Sequence, residues 1–206
     1  MALLRDPDVS TPAIHPLLQD RWSPRAFDEE HVLDRADLAT LLEAARWTPS
    51  AGNSQPWAFI VGLRGDATFD AFHATHSRGN RTWTHRASAL LLTLRQIESG
   101  PDHEIPWNTY SQYDLGQAAA HVSIQAQALG LHAHQFAGFD HDAAKEAFGV
   151  PDHWEVTTGI AIGRLADPSI LDENTRAKEL KARTRRPVEE FAFAGRFGEA
   201  PVDLTD

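Results

Sequence analysis

Tyr113 to Phe136 reads YDLGQAAAHVSIQAQALGLHAHQF. No proline interrupts the stretch from about Tyr110 to Leu129, which reads as the longest helix of the chain. Its run Gly116-Gln117-Ala118-Ala119-Ala120 has side chains small enough for close packing against another element. Gly130 supplies the stop, because glycine adopts the left-handed conformation that closes a helix. Leu131 to Phe136 then reads as a strand.

Outward from this unit, helices and strands alternate. Pro12 to Asp20 reads as a short helix. Asp34 caps a helix running to about Trp47, with Leu38, Leu41, Leu42 and Ala45 on one face. Trp57 to Leu63 reads as a strand, Ala67 to Thr75 as a helix and Ala87 to Leu94 as a buried strand. Asp140 to Phe148 reads as a short helix and Val156 to Leu165 as a strand. Some connections are too short for every strand pair to be a parallel crossover. The pattern therefore predicts an α+β layered fold, a mixed central sheet flanked by helices, rather than a doubly wound sheet. From Pro187 onward, Phe191, Phe193 and Phe197 sit among turn formers, a tail that needs another surface to dock on.

The chain has 206 residues, 42% hydrophobic and 23% charged, which fits one domain over residues 1–206 with a sizeable core. Nineteen basic residues face 29 acidic ones, a net charge of −10, which disfavours nucleic acid and anionic membrane as partners. With no cysteine, disulfides, thiolate catalysis and cysteine-bound metals are excluded. The opening MALLRDPDVS has too short an apolar run for a signal peptide, and no stretch approaches the roughly 20 apolar residues of a membrane helix. A cytoplasmic protein is expected. Eleven histidines are present, but none sits with an obvious acidic third ligand, so no metal is expected.

Three segments carry candidate chemistry. In Arg21-Trp22-Ser23-Pro24-Arg25-Ala26-Phe27, Pro24 biases Ser23 towards an extended conformation. Alternate side chains then share a side, so Arg21, Ser23 and Arg25 form a cradle for phosphate or carboxylate. The other reading is a solvated loop whose arginines pair with Asp28, Glu29 and Glu30. A second basic cluster runs from Arg176 to Arg186, with Glu179 alone opposing Arg176, Lys178, Lys181, Arg183, Arg185 and Arg186. It is either an anion site or a solvated helix end. Pro49-Ser50-Ala51-Gly52-Asn53-Ser54-Gln55-Pro56-Trp57 holds amides able to read a planar heterocycle, or forms a capped turn. A glycine beside a strand end, in Gln135-Phe136-Ala137-Gly138-Phe139-Asp140, lets a ligand approach the backbone, or makes a simple turn.

RWSPRAF, PSAGNSQPW, DLGQAAAHVSIQAQALGL followed by AGFD, and TRRPVEE, in this order, resemble the nitroreductase family of FMN-dependent oxidoreductases. The resemblance implies an intertwined α+β homodimer whose C-terminal extension, from about residue 187, wraps the partner. It implies that Arg21, Ser23 and Arg25 bind the phosphate, ribityl chain and pyrimidine edge of FMN, with Arg183 and Arg185 at the phosphate. Pro49, Ser50, Ala51, Asn53 and Gln55 would cover the flavin of the partner subunit. Ala137 and Gly138 would lie beside flavin N5, Gly138 as a backbone donor, and Asn80 would contact the flavin. Hydride would pass from NADH or NADPH to the flavin and on to a nitroaromatic, quinone or similar acceptor. A flavin-storing or flavin-sensing protein without turnover is the other reading of the same residues. Some members carry an acidic residue where Ala137 stands, and a long helical cover where Gln96 to Thr109 is short. Trp83, Trp107 and Tyr110 are candidates for the acceptor pocket.

Overall fold

The structure, a computed structural model, describes residues 13–101 and 103–204. The elements run α1 (Pro16–Asp20), α2 (Arg35–Arg46), β1 (Trp57–Leu63), α3 (Ala67–Thr75), α4 (Arg78–Thr84), β2 (Ala89–Gln96), α5 (Ser111–Ala128), β3 (His132–Phe136), α6 (His141–Ala147), β4 (Trp154–Gly163) and α7 (Glu173–Glu179). The α+β layered class read from the sequence is the class observed. The four strands lie in the order β1-β2-β4-β3, and every pairing among the described residues is antiparallel, where a mixed sheet was expected.

The apolar run of β2 explains the layering. Leu90, Leu92 and Leu94 face one side, with Phe69, Phe72, Trp83, Phe136 and Phe139. Ala89 and Leu91 face the other, with Leu41, Ala118, Val122, Ile160 and Ile162. A strand buried on both faces needs cover on both, and α3, α4 and α6 supply one cover while α2 and α5 supply the other.

The small side chains of α5 do what the sequence implied. Ala118, Ala119, Val122 and Ala126 are nearly or fully buried against the sheet, and Gly130 closes the helix at φ +72°. In α2 the Asp34 carboxylate accepts from the Asp37 N–H at 2.7 Å, while Leu41 and Ala45 are buried. Helix α1 begins at Pro16, where proline costs no helical hydrogen bond; the expected start at Pro12 lies outside the described residues. The sequence reading missed α4 and α7.

No helix of the described residues is long and apolar enough to cross a membrane. Beyond α7 the described residues hold a short turn at Val188–Glu190 and an antiparallel bridge between Phe193 and Pro201. Phe191 and Phe197 stay exposed, Phe197 at 92%.

Helix α3 sits directly on β1 at Gly62. A Cβ there would lie 2.4 Å from the Phe69 backbone nitrogen and 2.5 Å from its Cα. Backbone on both sides gives little room to relax, so Gly62→Ala is expected to lower unfolding free energy by about 1–3 kcal/mol, the cost of overpacking. Urea denaturation followed by circular dichroism measures it.

Candidate functional site

Residues 21–27 follow α1 outside any helix, with a bend at Arg25, and three neighbours hold their backbone. Leu165 pairs with Phe27 in an antiparallel bridge, the Asp28 N–H donates to the Arg164 carbonyl, and the Ala166 N–H donates to the Ala26 carbonyl. From α7, the Glu179 carboxylate accepts the Arg25 N–H at 3.0 and 2.9 Å and the Ala26 N–H at 3.2 Å. From β3, His134 Nδ1 donates to the Pro24 carbonyl at 2.8 Å.

This leaves Arg21, Ser23 and Arg25 lining a groove of about 280 Å³, opposite Lys178, Lys181, Arg183 and Arg185. Two basic clusters distant in sequence therefore share one groove. The solvated loop paired with Asp28, Glu29 and Glu30 is not what forms: Glu29 pairs with Arg86 instead, at 2.8 Å. Arg183 Nη1 donates to the carbonyls of Gln19 and Arg21 at 2.9 and 3.1 Å, which pins the late cluster to the early one. Burial, then the charges of Arg185 and Arg183, pull the Arg21 guanidinium below its usual pKa. Among the described residues the one carboxylate lining the groove is Glu179, already engaged by backbone N–H groups. Such a groove suits a compact polyanion.

A line of contacts leads from this groove to the end of β3. His134, bonded to Pro24, stacks on Trp83 with ring centroids 4.4 Å apart. Trp83 Nε1 donates to Asn80 Oδ1 at 3.3 Å, and Asn80 Nδ2 donates to the Gly138 carbonyl at 2.9 Å. Both ends of the Asn80 amide are thus engaged in bracing the Gly138 turn. A Cβ on Gly138 would stand 2.7 Å from Asn80 Nδ2, so the turn stays bare backbone, beside an exposed Ala137. Trp83 is 2% exposed and belongs to the core. It corrects the expectation of a pocket wall, because its indole is enclosed between Phe27, Phe136 and His134.

The third segment lies elsewhere. Pro49, Ser50 and Ala51 line a separate cavity of about 340 Å³ with Tyr110, Tyr113, Asp114 and Gln117, which shares no residue with the basic groove. Buried Asp114 accepts the Ala51 N–H at 3.1 Å, and Ser50 Oγ accepts the Gln55 N–H at 3.0 Å. Gly52, Asn53 and Gln55 take positive φ of 59°, 56° and 47°. For Asn53 and Gln55 that conformation carries strain, a feature that concentrates at binding sites. The Trp107 indole covers Gly52, where a Cβ would meet Nε1 at 2.5 Å. Trp107 and Tyr110 are half exposed, at 51% and 52%. The chain therefore brings Arg21, Ser23, Arg25, Arg183 and Arg185 together, sets Asn80, Ala137 and Gly138 at the end of the contact line, and presents Pro49 to Gln55 on another surface.

Sequence reasoning missed His134 and the part played by Glu179. The signal for Glu179 was its isolation among six cations. Among the described residues no group of three or more His, Asp or Glu is placed to hold a metal ion.

Burial drives His134 down to about 4, helped by the Arg25 charge and opposed by its bond to Pro24. Burial also drives His76 down to about 3, with His73 and Arg81 adding to it. Both values lie below the 6.5 of an unperturbed histidine, so their neutral forms stabilise the fold above pH 6.5. That stability is lost as pH falls through this window, on the order of 2 kcal/mol per histidine near pH 5. Urea midpoints are expected to drop from pH 7 to pH 5, and the drop to be shallower in His134→Gln.

The nitroreductase family profile matches residues 18–73 and 64–164. A solved oxidoreductase described as containing FMN superposes with a TM-score of 0.83 at 35% identity, over 92% of this chain and 95% of that one. A 15.4 kDa protein of Mycolicibacterium smegmatis is 37% identical over 148 residues, 68% of this chain and 97% of that protein. An oxygen-insensitive NADPH nitroreductase of Helicobacter acinonychis is 32% identical over 98 residues, 47% of this chain. The match spans 46% of that enzyme's length.

Proposed function

The chain belongs to the nitroreductase family, and from that premise we propose that it is an FMN-dependent oxidoreductase. It passes reducing equivalents from NADH or NADPH to a nitroaromatic, quinone or similar acceptor. The observation that carries the reading is the convergence of Arg21, Arg183 and Arg185 beside Ser23 and Arg25, with Glu179 the sole carboxylate in the groove.

The residues fit FMN. A phosphate dianion relieves the mutual repulsion that lowers Arg21, and guanidiniums bind phosphate in paired hydrogen bonds. Arg21, Arg183 and Arg185 hold the phosphate, and Ser23 offers a hydroxyl to the phosphate and ribityl chain. Arg25 sets positive charge at the pyrimidine edge. At the far end of the contact line, Ser77 and Asn80 hold the Gly138 carbonyl, and the Gly138 N–H, which donates to no group among the described residues, can donate to the flavin ring. Asn80 and Ala137 complete that end, Asn80 by holding the turn. When bound, FMN supplies the two-electron chemistry, and the protein binds, orients and tunes it.

Pro49, Ser50, Ala51, Asn53 and Gln55 serve the partner subunit's cofactor in a homodimer. Their separation from the basic groove of their own chain supports this. So do the exposed Trp47, Tyr113, Phe191 and Phe197, which a second copy would cover. The segment from about residue 187 wraps that partner. The enzyme works in the cytoplasm, where reduced nicotinamides are at hand.

Stripped protein incubated with FMN and freed of excess is expected to keep the flavin colour and to lose it anaerobically on adding NADH or NADPH. Colour that neither donor bleaches points to flavin storage or sensing; no retained colour overturns the reading. Arg21→Ala is expected to weaken FMN binding by about 1.5–3 kcal/mol, the scale of a hydrogen bond to a charged group, by fluorescence titration. Sedimentation is expected to give a dimer for the full chain and a smaller species when the segment from Pro187 on is removed.

A further inference from the structure

The Glu179 side chain is fully buried, and its carboxylate lies 3.9 Å from Arg25 Nη1 while it accepts the N–H groups of Arg25 and Ala26. It is the one acidic group among the residues lining a groove that carries six cations. Burying a carboxylate there is costly: loss of water raises its pKa, and the Arg25 and Ala26 N–H groups and the Arg25 charge offset this only in part. A purely structural brace needs no charge, because a carboxamide oxygen also accepts backbone N–H bonds.

We propose that Glu179 is a positioning residue that acts on the cofactor through Arg25: it fixes the Arg25 backbone and opposes the guanidinium charge that Arg25 sets at the flavin. This rests on the FMN reading. Reduced flavin carries more negative charge than oxidised flavin, so a fixed anion behind Arg25 disfavours the reduced form and holds the potential down. Arg25 pulls the potential up and Glu179 trims that pull. The same anion also weakens the groove's hold on the phosphate. The Ala26 N–H also faces the carboxylate, and Lys178 and Lys181, its near neighbours along the chain, line the same groove.

The test is Glu179→Gln, which keeps an acceptor for the N–H groups and removes the charge. FMN-loaded wild type is the control for the cofactor reading; if it retains no FMN, that reading fails before this one is reached. With FMN retained, the variant is expected to bind oxidised FMN at least as tightly as wild type. It is also expected to favour the reduced form about tenfold more, a rise of about 30 mV in a two-electron potential. An unchanged or lowered potential, or weaker FMN binding by the folded variant, overturns the proposal. Arg25→Gln alone is expected to lower the potential, and no lowering in that variant overturns the part given to Arg25. If Glu179→Gln does not fold, Glu179→Asp, which keeps the charge on a shorter arm, is expected to hold the wild-type potential; a rise of about 30 mV in that variant overturns the proposal.

Discussion

Burial of β2 on both faces is the constraint on which the rest of the structure depends. Leu90, Leu92 and Leu94 need one apolar layer and Ala89 and Leu91 another, so the sheet cannot present an open face. Fully burying a leucine side chain is worth about 1.5–3 kcal/mol, so leaving either face of β2 open to water would forfeit that stabilisation at each leucine on it. With both faces used, the surfaces left for a ligand are the ends and edges of the layers. The basic groove lies beside β3, at the outer edge of the sheet, where residues 21–27 and α7 meet it.

At that edge, charge is arranged unlike the rest of an acidic chain. Arg183 donates to the backbone of residues 19 and 21, and Glu179 accepts from the backbone of residues 25 and 26. The late segment thus grips the early one from both signs of charge. Side chains used for gripping leave Arg21 and Arg185 facing the groove without a paired carboxylate among the described residues, and that imbalance favours an anionic ligand.

Much of this was legible in the sequence. Strand β1 and helix α3 appear with the bounds read for them, because their apolar spacing and the cap at Asp66 are local signals. Helix α4, RGNRTWT, was hidden by glycine, asparagine and threonine; it is held by tertiary contacts, with Trp83 and Thr84 buried and Arg81 bonded to the His76 carbonyl. Helix α7 was hidden for a different reason. Its buried side chains are Thr175 and Glu179, so it has no apolar stripe for periodicity to reveal. The two arginine clusters were visible as charge concentrations, but their meeting depends on Glu179, whose partners lie 154 and 153 residues away. The left-handed backbone at Asn53 fits asparagine, which enters that region more readily than most residues, while at Gln55 residue type left no trace.

Those separations have a consequence for the order in which the protein is made. Synthesis runs from the N-terminus at about 5–20 residues per second, and early segments begin to fold while later ones are still being added. Arg21, Ser23 and Arg25 emerge well before Leu165, Glu179 and Arg183, which hold their segment's backbone. The groove is therefore completed only once α7 and Arg183 have left the ribosome. A nascent chain that stalls before α7 holds a finished sheet and an unfinished anion site, which keeps ligand capture for chains that extend past α7.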